Sequence, residues 1–307
     1  MTTIEDLFKD MLGNLELTSA QKDDAKTKYS GVVDCLSRHF NGRNRNCHDQ
    51  YLFGSYKTKT AIRPLESGSD VDVLFKISKE KYEQYENNPS GLLQEVRNAL
   101  KDTYSTTEKI SAWGKVVLIA FKDGTHNVEV LPAFENEDGT FCIPNTSEGG
   151  YWENDFDPRT QVDAFDESNG KTCNLTRELT MLAKRWVRNT STLNYKSFRI
   201  VEDVINFCSD VYPEGRGEVQ YDEVMTQFIT YIKSHQDKDH LKSISNHIET
   251  AHGRATKALQ FRKEGKCINA SEEWIKVFGD MFKKATEDEP QKNEARKFTA
   301  AASPWYN

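Results

Sequence analysis

Two acids stand at the head of an apolar run. Asp70-Val71-Asp72 leads into Val73-Leu74-Phe75-Lys76-Ile77, a β-branched stretch that predicts a buried strand over 71–77. Side chains two apart on a strand point to one face, so both carboxylates are presented together. A third acid, Glu129, lies between Val128 and Val130 in a second run, 127–131. Three carboxylates on neighbouring strands repel one another strongly without cations, and two Mg²⁺ ions roughly 3.5–4 Å apart meet that need in phosphoryl transfer. Alone, the Asp-x-Asp pair would more readily fit a solvated strand end.

The remaining strand signals surround this pair. Tyr51-Leu52-Phe53 is a short apolar run that stops at Gly54-Ser55. Residues 115–121 read as a strand, Asp123-Gly124 as a hairpin turn, and 127–131 as the returning strand, ended by Pro132. Ahead of the sheet, Leu7, Met11 and Leu12 form an apolar stripe. A second helix runs from Thr18, a plausible N-cap, through Val32, Val33 and Leu36 to Phe40, and Asn41-Gly42 ends it. Residues 43–50 read as a loop and 92–100 as helix. The stretch 135–172, rich in Gly, Asn, Asp and Pro, reads as a long ordered loop. Helical segments follow near 175–189, 197–209, 221–234, 239–263 and 271–285, and the tail after about Glu287 reads as loose. The expected class is therefore α+β: a helix and small mixed sheet over 1–170, then a helical lobe over 171–307 with its tail.

With 307 residues the chain can bury a core without disulfide staples. Its six cysteines are scattered without a Cys-x-x-Cys pair, as for reduced, mostly buried thiols; Cys47-His48 has no second pair at zinc spacing. No stretch is long and apolar enough to span a membrane, and the start lacks signal-peptide character, so the cytoplasm is the expected location. A net charge of −7 argues against wrapping long nucleic acid, but leaves room for local cation clusters that meet small phosphorylated substrates.

Several residues suit such substrates. Gly54 lets backbone approach a phosphate and Ser55 adds a hydroxyl, although an ordinary turn reads the same. Lys57, Lys59 and Arg63 add positive charge or form a solvated face. On the helix over 175–189, Lys184 shares a face with Arg188 four residues on, and with Arg177 two turns back; a triphosphate or solvent could meet either face. By pattern alone Phe198 suits core packing at a helix start. His126 reads as a turn residue, and His235, His240, His247 and His252 read as surface histidines.

The segments Gly54-Ser55-Tyr56-Lys57-Thr58-Lys59-Thr60-Ala61-Ile62-Arg63-Pro64, Asp70-Val71-Asp72-Val73-Leu74 and Val128-Glu129-Val130-Leu131-Pro132-Ala133-Phe134 together resemble the bacterial relatives of cyclic GMP-AMP synthase. These are the CD-NTases, or SMODS-type nucleotidyltransferases, of the polymerase-β-like superfamily that also holds oligoadenylate synthase. Ile143-Pro144 with Trp152 and Pro158 resembles the family's loop before the helical half. Met181-Leu182-Ala183-Lys184-Arg185-Trp186 resembles its phosphate-binding helix, and Trp274-Ile275-Lys276-Val277-Phe278-Gly279 with Met281-Phe282 its closing helix.

The resemblance implies a polymerase-β-like sheet lobe and a helical lobe with the active site between them. It implies catalytic and metal-ligating roles for Asp70, Asp72 and Glu129, holding two Mg²⁺ ions with Mn²⁺ as an alternative. It implies nucleotide binding by Gly54, Ser55, Lys184, Ser197 and Phe198. The implied activity is synthesis of a cyclic di- or trinucleotide from NTPs, with release of pyrophosphate, in CBASS-type antiphage signalling through a separate effector. Modification of a protein, RNA or small-molecule hydroxyl, and non-catalytic nucleotide sensing, are the alternatives. Two departures stand out. Glu129 replaces an acid that is Asp in many relatives, and no counterpart of the animal DNA sensor's zinc insertion exists, so activation by double-stranded DNA is not implied. Glu202 is offset from the family's usual glutamate after the aromatic. At the far end, Trp305 and Tyr306 suit either folding back on the protein or docking a regulatory partner, as C-terminal ends do in some relatives.

Overall fold

A computed structural model describes residues 2–44, 46, 48–65, 69–107, 109–121, 125–235 and 238–288. The Asp123-Gly124 turn, Cys47, Trp305 and Tyr306 lie outside the described residues. In chain order the elements are α1 (Ile4–Leu15), α2 (Ser19–Asn41), β1 (Gln50–Phe53), α3 (Gly54–Lys57), β2 (Asp70–Lys76), α4 (Lys79–Tyr85), α5 (Pro89–Thr103), β3 (Lys109–Trp113), β4 (Val116–Ala120) and β5 (Asn127–Glu135). Then come β6 (Phe141–Asn145), β7 (Tyr151–Phe156), α6 (Pro158–Lys171), α7 (Leu175–Asn189), α8 (Ser197–Val211), α9 (Tyr221–Ser234), α10 (Asp239–Lys242), α11 (Ser245–Lys263) and α12 (Cys267–Phe278).

The first two helices are set by their ends. Thr3 and Asp6 form a reciprocal capping box ahead of α1, as Thr18 and Gln21 do ahead of α2. Gly42 closes α2 at φ 62°, a left-handed conformation that glycine adopts without Cβ strain. The buried stripe of α1 packs away from the sheet: Phe8 sits among Trp274, Phe278 and Phe282, at ring-centroid distances of 5.1, 5.7 and 5.0 Å. In packing, α1 therefore shares the core of the helical half. The aromatics of the closing segment are the other side of that contact.

The sheet runs in the order β1-β2-β5-β4-β3, with β2 and β5 parallel and the other neighbours antiparallel. One face of β2 and β5 (Val71, Val73, Phe75, Val128 and Val130) packs against α2 and α5. The opposite face changes character along the strands. Leu74, Leu131 and Ala133 lie under Phe141 and Ile143 of β6, whereas Asp70, Asp72 and Glu129 occupy the other end.

Two expectations need correction. Residues 135–172 are not a loop: β6 and β7 form a hairpin continuing from β5, and α6 starts at Pro158 with Asp157 accepting a hydrogen bond from the Arg159 N–H. The turn residues belong to short connections between short elements. Nor does Pro132 end β5, which runs on to Glu135. The β4 ladder covers only Val128, Glu129 and Val130, so β5 has lost its neighbour on that side by residue 132 and tolerates a residue without an N–H. The five described cysteines are free; Cys173 is exposed and the others are buried. Among the described residues, no helix is long and apolar enough to cross a membrane.

Candidate active site

Parallel pairing puts Asp72 directly beside Glu129, and Asp70 beside Asn127. Paired positions share a face and lie about 4.8 Å apart, so the three acids and Asn127 form one polar block. The Asn127 amide donates to Asp70 Oδ1 at 3.0 Å. Burial is the first cause of a raised pKa at all three acids. It is opposed at Asp70 by the Asn127 bond and reinforced at Glu129 by the charge of Asp70. Asp72 is pushed up to about 7 by burial and then by the charges of Glu129 and Asp70, against the pull of Lys184.

On the next strand, β1 pairs Phe53 with Asp72, and the chain turns at once into α3. Gly54 makes that turn at φ 66°, and a Cβ there would lie 2.0 Å from Asp72 Oδ2. Only glycine allows the backbone to pass so close to the carboxylate.

α7 closes the site from the helical side through its basic residues. Lys184 Nζ donates to the carbonyl and the hydroxyl of Thr60, both at 3.1 Å. Burial, and then the charge of Arg188, lower its pKa to about 7. Arg188 donates to the carbonyls of Ile62 and Pro64 at 2.9 and 3.0 Å, and Arg177 pairs with Glu16 at 2.6 Å while donating to the Lys59 carbonyl. The basic helix thus binds the backbone that follows α3; Lys184 reaches the cleft that holds Asp70 and Asp72, and Arg188 lines an adjoining cavity with Asp70 and Lys184.

That cleft, of about 330 Å³, is lined by Gly54, Ser55, Asp70, Asp72, Lys184, Ser197 and Phe198. Glu129 lies behind Asp72 on the shared sheet face and does not line it. Phe198, at 48% exposure, is not a core residue; the Arg199 guanidinium lies 4.9 Å from its ring centroid. Lys57 and Lys59 are exposed and line a different cavity with Lys22 and Arg177. His126, one residue ahead of β5, is fully buried, with its ring 6.0 Å from that of Tyr56.

Residues 1–169 match the family model of the Second Messenger Oligonucleotide or Dinucleotide Synthetase (SMODS) domain. This chain belongs to the SMODS family. A curated relative, the cyclic AMP-AMP-AMP synthase of an Acinetobacter species, is 26% identical over 148 residues, which cover 47% of this chain and 40% of that protein. Less than half the length of that relative is therefore matched. The SMODS chain also shares its fold with solved CD-NTases. Vibrio cholerae DncV in its GTP-bound form gives a TM-score of 0.71 at 13% identity, covering 92% of this chain and 96% of that one. Escherichia coli MS115-1 CdnC with ATP gives 0.69 at 16%, covering 92% and 99%. The architecture is thus the polymerase-β-like one of these proteins, with the acids on the sheet beside the helical half.

A divalent cation is tested against this SMODS site by its donors. Among the described residues no three acid, imidazole or thiol side chains converge into a finished metal cage. The donor chemistry nevertheless fits: three carboxylates with pKa values raised by burial share a sheet face, a set that hard, oxygen-seeking Mg²⁺ or Mn²⁺ neutralises. Thr60 and Asn127 were not singled out from the sequence. Asn127 had a signal, standing two residues before Glu129 on one strand face, whereas nothing local marks Thr60 as the partner of Lys184.

Proposed function

We propose that this SMODS-family chain is a metal-dependent nucleotidyltransferase that joins NTPs into a cyclic di- or trinucleotide and releases pyrophosphate. The observation that carries this reading is the acid pair of β2, with Glu129 of β5 beside Asp72, meeting the cleft formed by Gly54, Ser55, Lys184, Ser197 and Phe198. Asp70, Asp72 and Glu129 would hold two divalent cations, which lower the pKa of an attacking ribose hydroxyl and neutralise charge on the departing pyrophosphate. Gly54 admits the phosphates close to the backbone, and Ser55 donates its hydroxyl to them. Lys184 spends two donors on Thr60, and its ammonium retains a third for a phosphate oxygen. Binding the anion favours the charged form that burial opposes. Ser197 lines the same cleft and donates its hydroxyl to the phosphates. The exposed ring of Phe198 offers a stacking platform, worth roughly 1–3 kcal/mol per base.

The relatives support the cyclic product. One is named a cyclic AMP-AMP-AMP synthase, and DncV has been solved with a linear 5′-pppA(3′,5′)pG intermediate. The reading places the protein in the cytoplasm, with the sheet-bearing catalytic lobe over 1–170 and the helical lobe over 171–307. Its product would activate a separate effector in CBASS-type antiphage defence. A regulatory protein is proposed to act at the C-terminal tail; a relative, CdnC, is known in complex with a HORMA protein.

Incubating the full chain with labelled NTPs and Mg²⁺ or Mn²⁺ tests the activity. The expected result is a small labelled product that resists phosphatase, with stoichiometric pyrophosphate. Label on protein or RNA would instead make it a modifying transferase, and binding without turnover would make it a nucleotide sensor.

A further inference from the structure

Ser197 and Phe198 open α8, and the start of that helix has no cap of its own: Lys196 at the N-cap makes no side-chain capping bond. Something else must hold the first turn in place. Tyr195, just before the helix, donates its hydroxyl to Asp203 Oδ2 at 2.6 Å. Asp203 lies on α8 less than two turns past Ser197, so this bond ties the entering chain back to the helix it enters. Asp203 is 2% exposed. The same Oδ2 accepts from His240 Nε2 at 2.7 Å, and Lys238 Nζ lies 3.5 Å from Oδ1. The histidine expected at the surface is thus half-buried in a link between α10 and α8. Burial, and then the charge of Asp203, push the Tyr195 phenol far up, so it remains a donor.

We propose that Tyr195, Asp203 and His240 form a positioning unit that aims Phe198 into the nucleotide cleft. The unit acts through the backbone of the first turn of α8. Phe198 needs such support because its half-exposed ring is not held by the core. Tyr195 also lines the cavity beside Asp70 and Lys184, so the unit adjoins the site. This inference rests on the nucleotide-binding reading of the cleft given above.

The test is a double-mutant cycle read as binding. ATP and GTP, each as the α,β-methylene analogue with Mg²⁺, are titrated into the full-length protein. Tyr195→Phe should weaken the tighter of the two by about tenfold, the scale of one stacked base that is no longer aimed. In a Phe198→Ala background the same change should matter less than about twofold, because the ring it aims is gone. In a Lys184→Ala background the tenfold effect should return. His240→Gln, which keeps a donor near Asp203, should bind better than His240→Leu. In turnover, Tyr195→Phe should raise KM more than it lowers kcat. A melting-temperature change from Tyr195→Phe, equal in both backgrounds, would reflect packing and does not enter the cycle. An unchanged Kd in Tyr195→Phe, or an equal effect with and without Phe198, overturns the proposal. If the wild-type protein binds an analogue but forms no cyclic product, the activity reading fails and the cycle still decides on Kd. If it binds neither analogue, both fall.

Discussion

Replacing Asp70 and Asp72 together by asparagine should abolish product formation while the protein stays folded. Neutral amides bind divalent cations far more weakly than carboxylates, and turnover should fall by at least about three orders of magnitude. Glu129→Gln should be nearly as damaging, whereas Glu129→Asp keeps the charge and should retain part of the activity. Folding is expected to survive because the acids repel one another and are raised by burial. The pH dependence checks this. Asp72 rises from the ordinary carboxylate range to about 7, so between those limits the metal-free native state binds a proton that the unfolded chain has released. The stability contributed by this group is full below the ordinary carboxylate pKa and is lost as pH rises toward 7. Asparagine does not titrate, so the double variant should lose less stability over that interval in EDTA. Melting curves at pH 5 and pH 7 measure the difference. Near-normal turnover by the folded double variant would contradict the proposed site.

Lys184→Ala should raise the KM for NTP by about 10- to 100-fold, the scale of one or two charge-assisted bonds. The protein should remain folded: Lys184 carries a charge that burial already disfavours, and its bonds go to Thr60, whose hydroxyl keeps the Thr58 hydroxyl as a partner at 2.9 Å. Arg177 and Arg188 continue to tie α7 to the backbone at 59–64. Initial rates across an NTP series, compared with melting temperature, separate the two effects. An unchanged KM would remove Lys184 from the nucleotide site.

Where local chemistry sets the structure, the sequence was readable. Period-two spacing placed Asp70 and Asp72 on one face, and an acid between two valines placed Glu129 on a strand; the parallel register then sets it beside Asp72. The expected helix at 175–189 coincides with α7. Short elements between turn residues were not readable. Phe141 to Asn145 spans five residues between Gly139 and the 147–150 turn, and that density of Gly, Asn and Asp outweighed the apolar signal. β3 was missed because an edge strand such as Lys-Ile-Ser-Ala-Trp carries mixed character. Long-range partners leave no local trace. Nothing near Phe8 announces Trp274, and nothing near His240 announces Asp203. The choice among the basic residues of α7 depended on which one reaches the cleft, a property of how the helix docks.

The central claim is that Asp70, Asp72 and Glu129 jointly hold the catalytic cations, and Glu129 tests it most sharply because it stands beside Asp72 without lining the cleft. Crystals of the full chain grown with Mn²⁺ and a non-hydrolysable NTP, measured at the manganese absorption edge, test it directly. The account predicts anomalous peaks at the acid face, with oxygens of all three carboxylates about 2.0–2.3 Å from manganese and the triphosphate between them and Lys184. Nucleotide bound in the cleft with no manganese on these carboxylates, or with Glu129 turned away from every peak, would contradict it.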